Sequence, residues 1–507
     1  MSEQRTNWFW LGGILSIALV LRVINLDAGL WYDEILTLVD YVRLPTDQLL
    51  TTYTSLNNHI LYSLEAQGII ALIGESAWAF RMPALLFGMG SIWALWWLSS
   101  QVLSPWEARF SALLLAVSYH HIWFSQNARG YTGLIFWVLV ATALFIRNIE
   151  RPSWWSWVVY GLAVAAAMYT HLSAAFSIAT HGLVYLALVA RRHFFLRTTV
   201  EIVQDRYNNI SGFKPLFGFA VGVALTLALY AVLIPQMIDT FGAMSDSGNA
   251  EVTVKEWTNP IWTILEVLRN LQELGFVMSV GIPAVLVFLA IGVFSLFRQH
   301  PVLTSFFVIH IPLTLLILLA LSFRIWPRYF FIDLGFIFLF LVHGVFVFSD
   351  FLADKLKTQE RWRVSGKNLS LFASSIAVIC SLFLLPPNYA MPKQDFLGAR
   401  DFIESTRGPD DVVTSVGLAA LPYTKYYAPE WNVVESSEEL IQLRARGTHT
   451  WLVYAFSAHT KVHYPEILAT LDTDFELVKK FHGTLGDGSV YVYRSRPRGD
   501  NSVTQAP

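Results

Sequence analysis

The chain contains a series of apolar runs, each close to the length that crosses a lipid bilayer as a helix. About 20 mostly apolar residues are needed to span about 30 Å of hydrocarbon. Backbone groups inside hydrocarbon must satisfy their own hydrogen bonds, so such runs predict helices. Eleven runs are present, at residues 8–26, 82–103, 108–124, 131–147, 154–171, 174–190, 216–235, 275–297, 302–322, 329–349 and 369–387. The expected fold class is a mostly α, polytopic membrane helical bundle of about eleven spans.

The composition excludes several other classes of protein. Hydrophobic residues make up 55% of the chain and charged residues only 14%, whereas soluble domains carry about 25% charged residues. A formal net charge of −2 provides no basic field that would attract nucleic acid. Cys380 is the single cysteine, so an intramolecular disulfide and a thiolate metal cluster are excluded. A soluble globular enzyme, a disordered protein and a nucleic-acid-binding protein are therefore excluded.

The distribution of basic residues predicts the orientation of the bundle. With the N-terminus inside, the inner segments hold 15 Lys and Arg residues, and the outer loops before the C-terminal tail hold seven. Such an excess marks the inner side of a membrane. We therefore expect a membrane domain at 1–387, in the inner or plasma membrane, with large outer loops at 27–81 and 236–273. These loops contain amphipathic helical patterns suited to the interface, at Glu34–Val42, Ile60–Ile73 and Ile261–Leu274.

The C-terminal tail, residues 388–507, differs in composition from the rest of the chain and is expected outside the membrane. It alternates strand patterns, at Asp411–Val416, Trp451–Phe456 and Ser489–Tyr493, with helical patterns, at Lys393–Thr406, Ser437–Arg446 and Tyr464–Leu471. This alternation predicts a small extracytoplasmic α/β domain. The last ten residues are expected to be a disordered end.

Two adjacent carboxylates, Asp33 and Glu34, follow the first apolar run and are flanked by aromatic residues. Neighbouring helical positions point about 100° apart, so both carboxylates cannot face the same substrate atom. One would face a cavity and the other would anchor the helix. Alternatively, Asp33 is simply the N-cap of a helix that begins at Glu34. From the residues alone, both interpretations remain open.

Five short motifs, in chain order, resemble those of a known family. They are Trp31-Tyr32-Asp33-Glu34, Asn57-Asn58-His59-Ile60-Leu61-Tyr62, Ala79-Phe80-Arg81-Met82-Pro83-Ala84-Leu85-Leu86-Phe87-Gly88, Ser125-Gln126-Asn127-Ala128-Arg129-Gly130-Tyr131 and Arg328-Tyr329-Phe330. They resemble the outer-loop acidic motif, the N-H-P-P-L-Y segment, the A-L-R-L-P-S-x-L-x-G run, the S-Q-E-A-R-x-Y run and the R-Y-L/F start of a late span in GT-C glycosyltransferases. The chain is similar to the RgtA/B/C/D-like and protein O-mannosyltransferase-like branch, which includes the aminoarabinose transferases, over about residues 8–349.

The resemblance implies a glycosyltransferase with a polyprenyl-phosphate-linked sugar donor and a hydroxyl acceptor on the outer side. Asp33 would be the general base, with Glu34 beside it. A carboxylate in a partly dry site can have a pKa suited to taking a proton. The family implies binding of the donor phosphate or sugar by a set of basic and aromatic side chains: His59, Arg129, His171, Arg328 and Tyr329.

Each of these binding residues also has a simpler interpretation. His59 and His171 suit interfacial histidines with satisfied hydrogen bonds, and Arg129 suits a side chain that snorkels to the headgroups. Arg328 and Tyr329 suit anchors in the aromatic belt at the membrane surface. Arg81 is expected to pair with a carboxylate of the outer loop.

The chain departs from the family pattern at two places. Asn127 replaces the usual Glu before Ala-Arg, and Ile60-Leu61 replace the two prolines after His59. The first change removes a carboxylate that a cation would use, so we expect no metal and no cofactor. Asp472-Thr473-Asp474 has D-x-D spacing, but acidic residues are common in turns between elements. The sugar, the acceptor and the partners other than lipid are not identified by the sequence.

A transporter or flippase of lipid-linked sugars is the alternative from another class. Transporters usually place ionisable groups near the middle of spans, along the substrate path. The apolar runs here are almost free of charge at their centres, and the ionisable residues lie at the outer ends. A non-catalytic scaffold with a sensing tail is a third interpretation. The pattern favours a transferase.

Overall fold

A computed structural model of the chain describes residues 3–55, 58–194, 207, 212–247, 281–321, 325–356, 365–484 and 487–497. Nine helices in this part of the chain are long and apolar enough to cross a membrane. They are Thr6–Val23, Ala77–Ser99, Tyr131–Glu150, Ala174–Phe194, Phe213–Tyr230, Ile282–Gln299, Pro301–Ala320, Pro327–Leu356 and Gly366–Ala390. The chain is an integral, multi-pass membrane protein of the mostly α class.

Each of the eleven apolar runs contains helix. The first helix begins at Glu3, Pro327–Leu356 consists of a 3₁₀ turn (Pro327–Asp333) followed by an α-helix (Leu334–Leu356), and Gly366–Ala390 combines Gly366–Phe383 with Pro386–Ala390. The shorter helices of the membrane part are Tyr32–Thr37, the π-helical Leu38–Val42, Thr46–Thr51, Ile60–Ile73, Pro105–Ala116, Tyr119–Ser125, Trp154–Thr170 and Ile234–Ser247. Because two of the runs form shorter helices, the count of eleven spans stays a prediction.

The third apolar run, 108–124, does not form the single helix that its composition suggests. The helix Pro105–Ala116 ends, and a second helix begins at Tyr119. The break leaves helix-end carbonyls without intrahelical partners. The buried guanidinium of Arg22 donates to the Ala116 carbonyl at 2.9 Å and to the Leu115 carbonyl at 3.5 Å. The break is thus stabilised by a cation from another helix.

The first outer segment contains the predicted helices. The expected pattern at Ile60–Ile73 is a helix with those bounds, and the pattern at Glu34–Val42 becomes an α-helix from Tyr32 followed by a π-helical turn. In the second outer segment, helix Ile234–Ser247 begins at the end of the apolar run 216–235 and continues into the expected loop. The predicted amphipathic run Ile261–Leu274 lies outside the described residues.

Two glycines bring a pair of spanning helices into backbone contact. A Cβ added at Gly292 would lie 1.9 Å from the Phe340 carbonyl oxygen, and one at Gly344 would lie 1.8 Å from the Phe288 carbonyl oxygen. Only glycine permits this approach between Ile282–Gln299 and Leu334–Leu356. Small residues serve the same purpose at other helix interfaces in membranes.

The C-terminal tail forms a five-stranded sheet with helices, as its alternating pattern predicts. The strands are β1 (Val412–Val416), β2 (Asn432–Val434), β3 (Thr450–Ala455), β4 (Phe475–Phe481) and β5 (Val490–Ser495). Their order is β2-β1-β3-β5-β4, with β1 parallel to β2 and β3, and β5 antiparallel to β3 and β4. The helices and helical turns are Phe396–Thr406, Gly417–Ala419, Ala420–Pro422, Tyr423–Tyr427, Ser437–Arg444, Ser457–His463 and Pro465–Asp474.

Two of these strands, β2 and β4, are absent from the sequence prediction. β2 has only three residues, and the middle five residues of β4 are exposed. Each is an edge strand, so neither carries the apolar pattern of a buried strand. The expected disordered end, residues 498–507, lies outside the described residues.

Candidate active site

Glu34 is an anchor that fixes the outer loop to the bundle. Its carboxylate is fully buried and accepts hydrogen bonds from Arg81 Nε at 2.8 Å, Arg81 Nη2 at 2.6 Å and the Ala128 N–H at 2.6 Å. Burial alone would raise the pKa of Glu34. The charges of Arg81 and Lys393 and the hydrogen bonds from Arg81 and Ala128 outweigh burial, and the pKa lies below its ordinary value.

The sequence interpretation placed Glu34 beside Asp33 in the catalytic set, and the geometry corrects it. Both oxygens of Glu34 are engaged by buried donors, so Glu34 has a structural role. The expected pairing of Arg81 with a loop carboxylate is confirmed. Arg81 also donates to the carbonyls of Leu26, Ala28 and Gly29, which ties the whole turn after the first span to helix Ala77–Ser99.

Asp33 points away from this anchor. The helix begins at Tyr32 and its N-cap residue is Trp31, so the interpretation of Asp33 as the N-cap is wrong. The side chain of Asp33 is 19% exposed, and its Oδ2 lies 3.9 Å from Nη1 of Arg328. Asp33 is therefore the accessible carboxylate of the pair, and it faces a cation from a distant part of the chain.

Arg129 is a buried guanidinium. Its side chain is 2% exposed, so the snorkelling interpretation is wrong. Nη1 donates to Thr37 Oγ1 at 3.1 Å, Nη2 lies 3.3 Å from His59 Nε2, and Nε has no hydrogen-bond partner in the described part of the chain. No carboxylate among the described residues lies within ion-pair distance of it. Burying a charge without a partner is costly, which points to a ligand that supplies the missing negative charge.

His59 is a neutral ring with a fixed tautomer. The Gly130 N–H donates to His59 Nδ1 at 2.8 Å, so the ring proton of a neutral imidazole must sit on Nε2. Burial, followed by the charges of Arg129, His171 and Arg328, lowers the pKa of His59 well below its ordinary value. The Nε2–H and the adjacent Arg129 Nη2 are both donors, so they need a shared acceptor. The solvent-bonded interfacial interpretation is wrong, because the ring is buried.

His171 extends the same cluster. The Ser173 N–H donates to His171 Nδ1 at 3.1 Å, which again leaves the proton on Nε2 of the neutral ring. Its ring centroid lies 4.6 Å from that of His59 and 5.5 Å from that of Tyr131. Burial, then the charges of Arg129 and Arg328, lowers the pKa of His171 to about 3. Both histidines are thus neutral donors beside two guanidinium groups.

Arg328 and Tyr329 start the 3₁₀ turn Pro327–Asp333. The Arg328 guanidinium lies 4.7 Å from the Trp326 ring centroid, as a membrane-surface anchor would, and also approaches Asp33. The anchor geometry is therefore present, and a role of Arg328 at the donor phosphate stays a prediction. The Tyr329 side chain is half-buried beside it, and no hydrogen bond joins its hydroxyl to the cluster within the described residues.

Unpartnered donors surround this cluster. Nδ2 of Asn58 and Nδ2 of Asn127 are buried and lack an acceptor in the described ranges, as does Nε of Arg129. Asn127 Oδ1 accepts from Trp31 Nε1 at 3.1 Å, which fixes the direction of its amide. Sequence reasoning treated Asn127 only as a lost carboxylate. Its replacement of Glu adds a donor to a region of donors, which is the opposite of a cation site.

An apolar cavity of about 370 Å³ adjoins the cluster at Arg328. Aromatic and aliphatic side chains line most of it: Tyr119, His120, Trp123, Phe124, Pro327, Phe330, Phe331, Leu334, Ile337 and, from the tail, Thr484. The site thus has an apolar compartment beside a polar one. The sequence offered no signal for this cavity, because its walls come from segments about 200 residues apart.

The D-x-D motif of the tail has a structural explanation. Asp474 ends helix Pro465–Asp474 and pairs with Arg444. Across the described residues, no group of three His, Cys, Asp or Glu side chains is arranged to hold a metal ion. The expectation of a metal-independent protein stays a prediction.

Comparisons with known proteins agree with this architecture. A family model described as dolichyl-phosphate-mannose-protein mannosyltransferase matches residues 60–203. The apo oligosaccharyltransferase of Archaeoglobus fulgidus is similar, with TM-score 0.50 and 11% identity over 92% of this chain and 73% of that one. Its complex with Zn and sulfate also gives TM-score 0.50 and 11% identity, over 92% and 71%. No curated protein matches the chain.

The match to another solved structure extends over almost the whole length of both chains. Apo ArnT from Cupriavidus metallidurans gives TM-score 0.52 and 13% identity over 96% of this chain and 97% of that one. At these identities the structural matches establish the fold. The family-model match includes Arg129 and His171, whereas Asp33 and Arg328 lie outside it. Residues 60–203 are thus similar in sequence to a family of membrane mannosyltransferases, and the chain shares the fold of the solved structures named above.

Proposed function

We propose that the chain transfers a sugar from a polyprenyl-phosphate-linked donor to a hydroxyl group of an acceptor, with inversion at the anomeric carbon. The acceptor is a protein, lipid or polysaccharide. The observation that carries the proposal is the contact between Asp33, the accessible carboxylate, and Arg328, at the edge of the donor cluster of Arg129, His59 and His171. A proton acceptor thus stands beside a site for an anion.

The hydrogen-bond donors of Arg129, His59 and His171, called here the donor cluster, suit a phosphate group. A guanidinium matches phosphate oxygens in a planar fork, and the two fixed Nε2–H donors of His59 and His171 supply further hydrogen bonds. The matched family is described as using dolichyl-phosphate-mannose, which is a lipid phosphate of this class. The apolar cavity of about 370 Å³ beside Arg328 is suited to the first isoprene units of such a lipid.

The chemical step moves one proton and exchanges one bond. Asp33 accepts the proton of the acceptor hydroxyl, whose oxygen forms a bond to the anomeric carbon. The bond from that carbon to the phosphate oxygen breaks at the same time, and its electron pair leaves with polyprenyl phosphate. The phosphate gains one negative charge, which Arg129, Arg328 and the two histidines stabilise. Stabilising charge that develops in the transition state is commonly the largest single contribution to catalysis.

The reaction is proposed to occur on the outer face of the membrane. Asp33 follows the first span, Arg328 begins a later one, and their contact brings these two ends to the same side. The excess of 15 basic residues over seven on the opposite side marks that other side as the inner one. The contact of the C-terminal domain with the Asp33 segment supports the proposal that this domain also lies on the outer side.

The transporter alternative is not favoured by the interior of the bundle. The structure adds buried ionisable groups to spans that the sequence suggested were almost charge-free: His310 Nδ1 lies 2.9 Å from Asp333 Oδ1, and His310 Nε2 lies 3.1 Å from Ser177 Oγ. The cavity there has a volume of about 10 Å³, which is room for about one water molecule. These groups form a closed cluster and do not line a path.

The test is a transfer assay with the purified full chain in nanodiscs. Decaprenyl-phosphate-linked mannose, glucose and aminoarabinose serve as donors, and release of decaprenyl phosphate in the presence of protein and lipid acceptors is measured. We expect release with at least one donor. Arg129→Met should abolish most of it, and Arg407→Met, at a partly exposed arginine of the C-terminal domain that pairs with Glu404, should not. Movement of intact donor across proteoliposomes without bond cleavage would instead identify a flippase.

A further inference from the structure

The C-terminal domain contacts the segment that carries Asp33 through three separate side chains. Gln394 lies in the linker that precedes the sheet, Tyr427 ends a helical turn after β1, and Phe456 follows β3. All three reach residues immediately before Asp33 in the chain. The domain is therefore in direct contact with the proposed catalytic base segment.

Gln394 supplies an acceptor to the start of the Asp33 helix. Its Oε1 accepts from the Tyr32 N–H at 3.1 Å, across a sequence separation of 362 residues. Tyr32 is the first residue of that helix, and N–H groups at a helix start lack intrahelical acceptors. The Gln394 side chain is 2% exposed. A buried amide from the other domain thus holds the residue next to Asp33.

Tyr427 fixes the backbone two residues further back. Its hydroxyl donates to the Leu30 carbonyl at 2.9 Å. A Cβ at Gly29 would lie 3.1 Å from the same hydroxyl oxygen and 3.2 Å from Leu397 Cβ. The absence of a side chain at Gly29 lets the C-terminal domain approach the loop this closely.

Phe456 packs its ring against Tyr32. The two ring centroids are 5.0 Å apart with an edge-to-face angle of 75°. The backbone of Phe456 has φ +55°, a left-handed conformation that is unfavourable for a bulky residue. Asp487 holds the following turn, because its carboxylate accepts from the Ser457 N–H at 3.0 Å and the Ala458 N–H at 3.1 Å. Backbone strain of this kind persists where the surroundings enforce it, often at functional sites.

We propose that the C-terminal domain sets the position of the Asp33 carboxylate through Gln394, Tyr427 and Phe456, which are positioning residues for the transfer reaction. The inference rests on the proposed function, in which Asp33 is the base. The three side chains hold Leu30 and Tyr32 from one side, while Glu34 and Arg81 hold the segment from the bundle. Asp33 lies between these two restraints.

The experiment compares kcat and donor KM of the full chain for Gln394→Leu, Gln394→Glu, Tyr427→Phe and the control Tyr491→Phe. Tyr491 lies on β5 of the same domain, so the control makes the same chemical change away from the loop. We expect Gln394→Leu to lower kcat by about 10–100-fold, because small displacements of a reacting group are costly. Donor KM should stay within about twofold, because the phosphate cluster is untouched. Tyr427→Phe should lower kcat by less, and Tyr491→Phe should not lower it.

Gln394→Glu separates positioning from general damage. A carboxyl oxygen accepts from the Tyr32 N–H whether or not it is ionised, so this variant should be more active than Gln394→Leu. Hydrogen exchange gives a second readout, because loss of the acceptor in Gln394→Leu should speed exchange of the Tyr32 amide in folded protein. Equal activity of the Leu and Glu variants, or unchanged Tyr32 exchange, would overturn the inference.

A double-mutant cycle with Asp33→Asn distinguishes the inference from the function on which it rests. If Gln394 acts through Asp33, Gln394→Leu should cause no further loss of rate in the Asp33→Asn background. A further loss of similar size in that background would overturn the positioning role. Full activity of Asp33→Asn alone would instead overturn the proposed base.

Discussion

Asp33 and Glu34 are adjacent carboxylates whose amide substitutions should have opposite effects. Asp33 is partly exposed, and its ion pair with Arg328 joins atoms 3.9 Å apart. Glu34 is buried and accepts three hydrogen bonds of 2.6–2.8 Å from Arg81 and Ala128. We predict that Asp33→Asn removes activity and keeps the fold, whereas Glu34→Gln weakens the fold.

The size of each effect follows from these contacts. An exposed ion pair contributes about 0–1 kcal/mol to stability, so Asp33→Asn should change the free energy of unfolding by less than about 1 kcal/mol. Loss of a general base should slow transfer by about 10²–10⁴-fold, or about 3–5 kcal/mol in activation free energy. Breaking a buried ion pair leaves an uncompensated charge and costs about 3–5 kcal/mol. In Glu34→Gln, that charge is Arg81, and the new amide N–H₂ faces donors.

The assay measures single-turnover release of polyprenyl phosphate, so that the chemical step limits the rate, together with thermal unfolding in the same detergent. Farnesyl phosphate binding to Asp33→Asn should remain, since the donor cluster is intact. Wild-type turnover in folded Asp33→Asn would refute the catalytic assignment. Wild-type thermal stability of Glu34→Gln would refute the anchoring role of Glu34.

Three further predictions concern pH, metal and topology. In the folded protein the pKa of His171 is about 3, against an ordinary value of 6.5, so the unfolded chain binds more protons between these two pH values. The free energy of unfolding should therefore fall as pH drops from about 6.5 toward 3. Denaturation of His171→Asn at several pH values should give a smaller slope of this free energy against pH. Although the similar Archaeoglobus fulgidus oligosaccharyltransferase structure contains Zn, saturating chelator should leave sugar transfer by this chain unchanged. Complete loss of transfer that added Mg²⁺, Mn²⁺ or Zn²⁺ restores would show that a cation is required. A reporter fused after Val503 should be active only outside the cytoplasm, and cytoplasmic activity would contradict the orientation.

The division of labour between Asp33 and Glu34 was partly predictable from sequence. Adjacent helical positions diverge by about 100°, which requires different roles for the two residues. The residues alone, without the family resemblance, did not indicate which of the two would be buried. That outcome depends on Arg81 and the Ala128 N–H, which lie 47 and 94 residues from Glu34 along the chain.

The helix break after Ala116 shows a different limit. Residues 108–124 read as one apolar run, and nothing local forces an interruption. The interruption is stable because Arg22, from the first helix, caps the exposed carbonyls. An arginine in an apolar span was the visible signal, but its partner was not visible. Likewise, the cavity and the contacts of Gln394 require the folded chain.

The burial of Arg129 connects the fold of the site to its chemistry. Its charge lacks a carboxylate partner within the described residues, and its only close polar contacts there are a hydroxyl and the ring of His59, which already carries its proton on the facing nitrogen. In the absence of an anion this arrangement opposes folding, since a buried charge is poorly solvated. The ion pair of Glu34 and Arg81 fixes the neighbouring loop at the same end of the bundle. Donors held rigidly in this way need no reorganisation when charge develops on a leaving phosphate, and that preorganisation is what a transferase of this class requires from its protein.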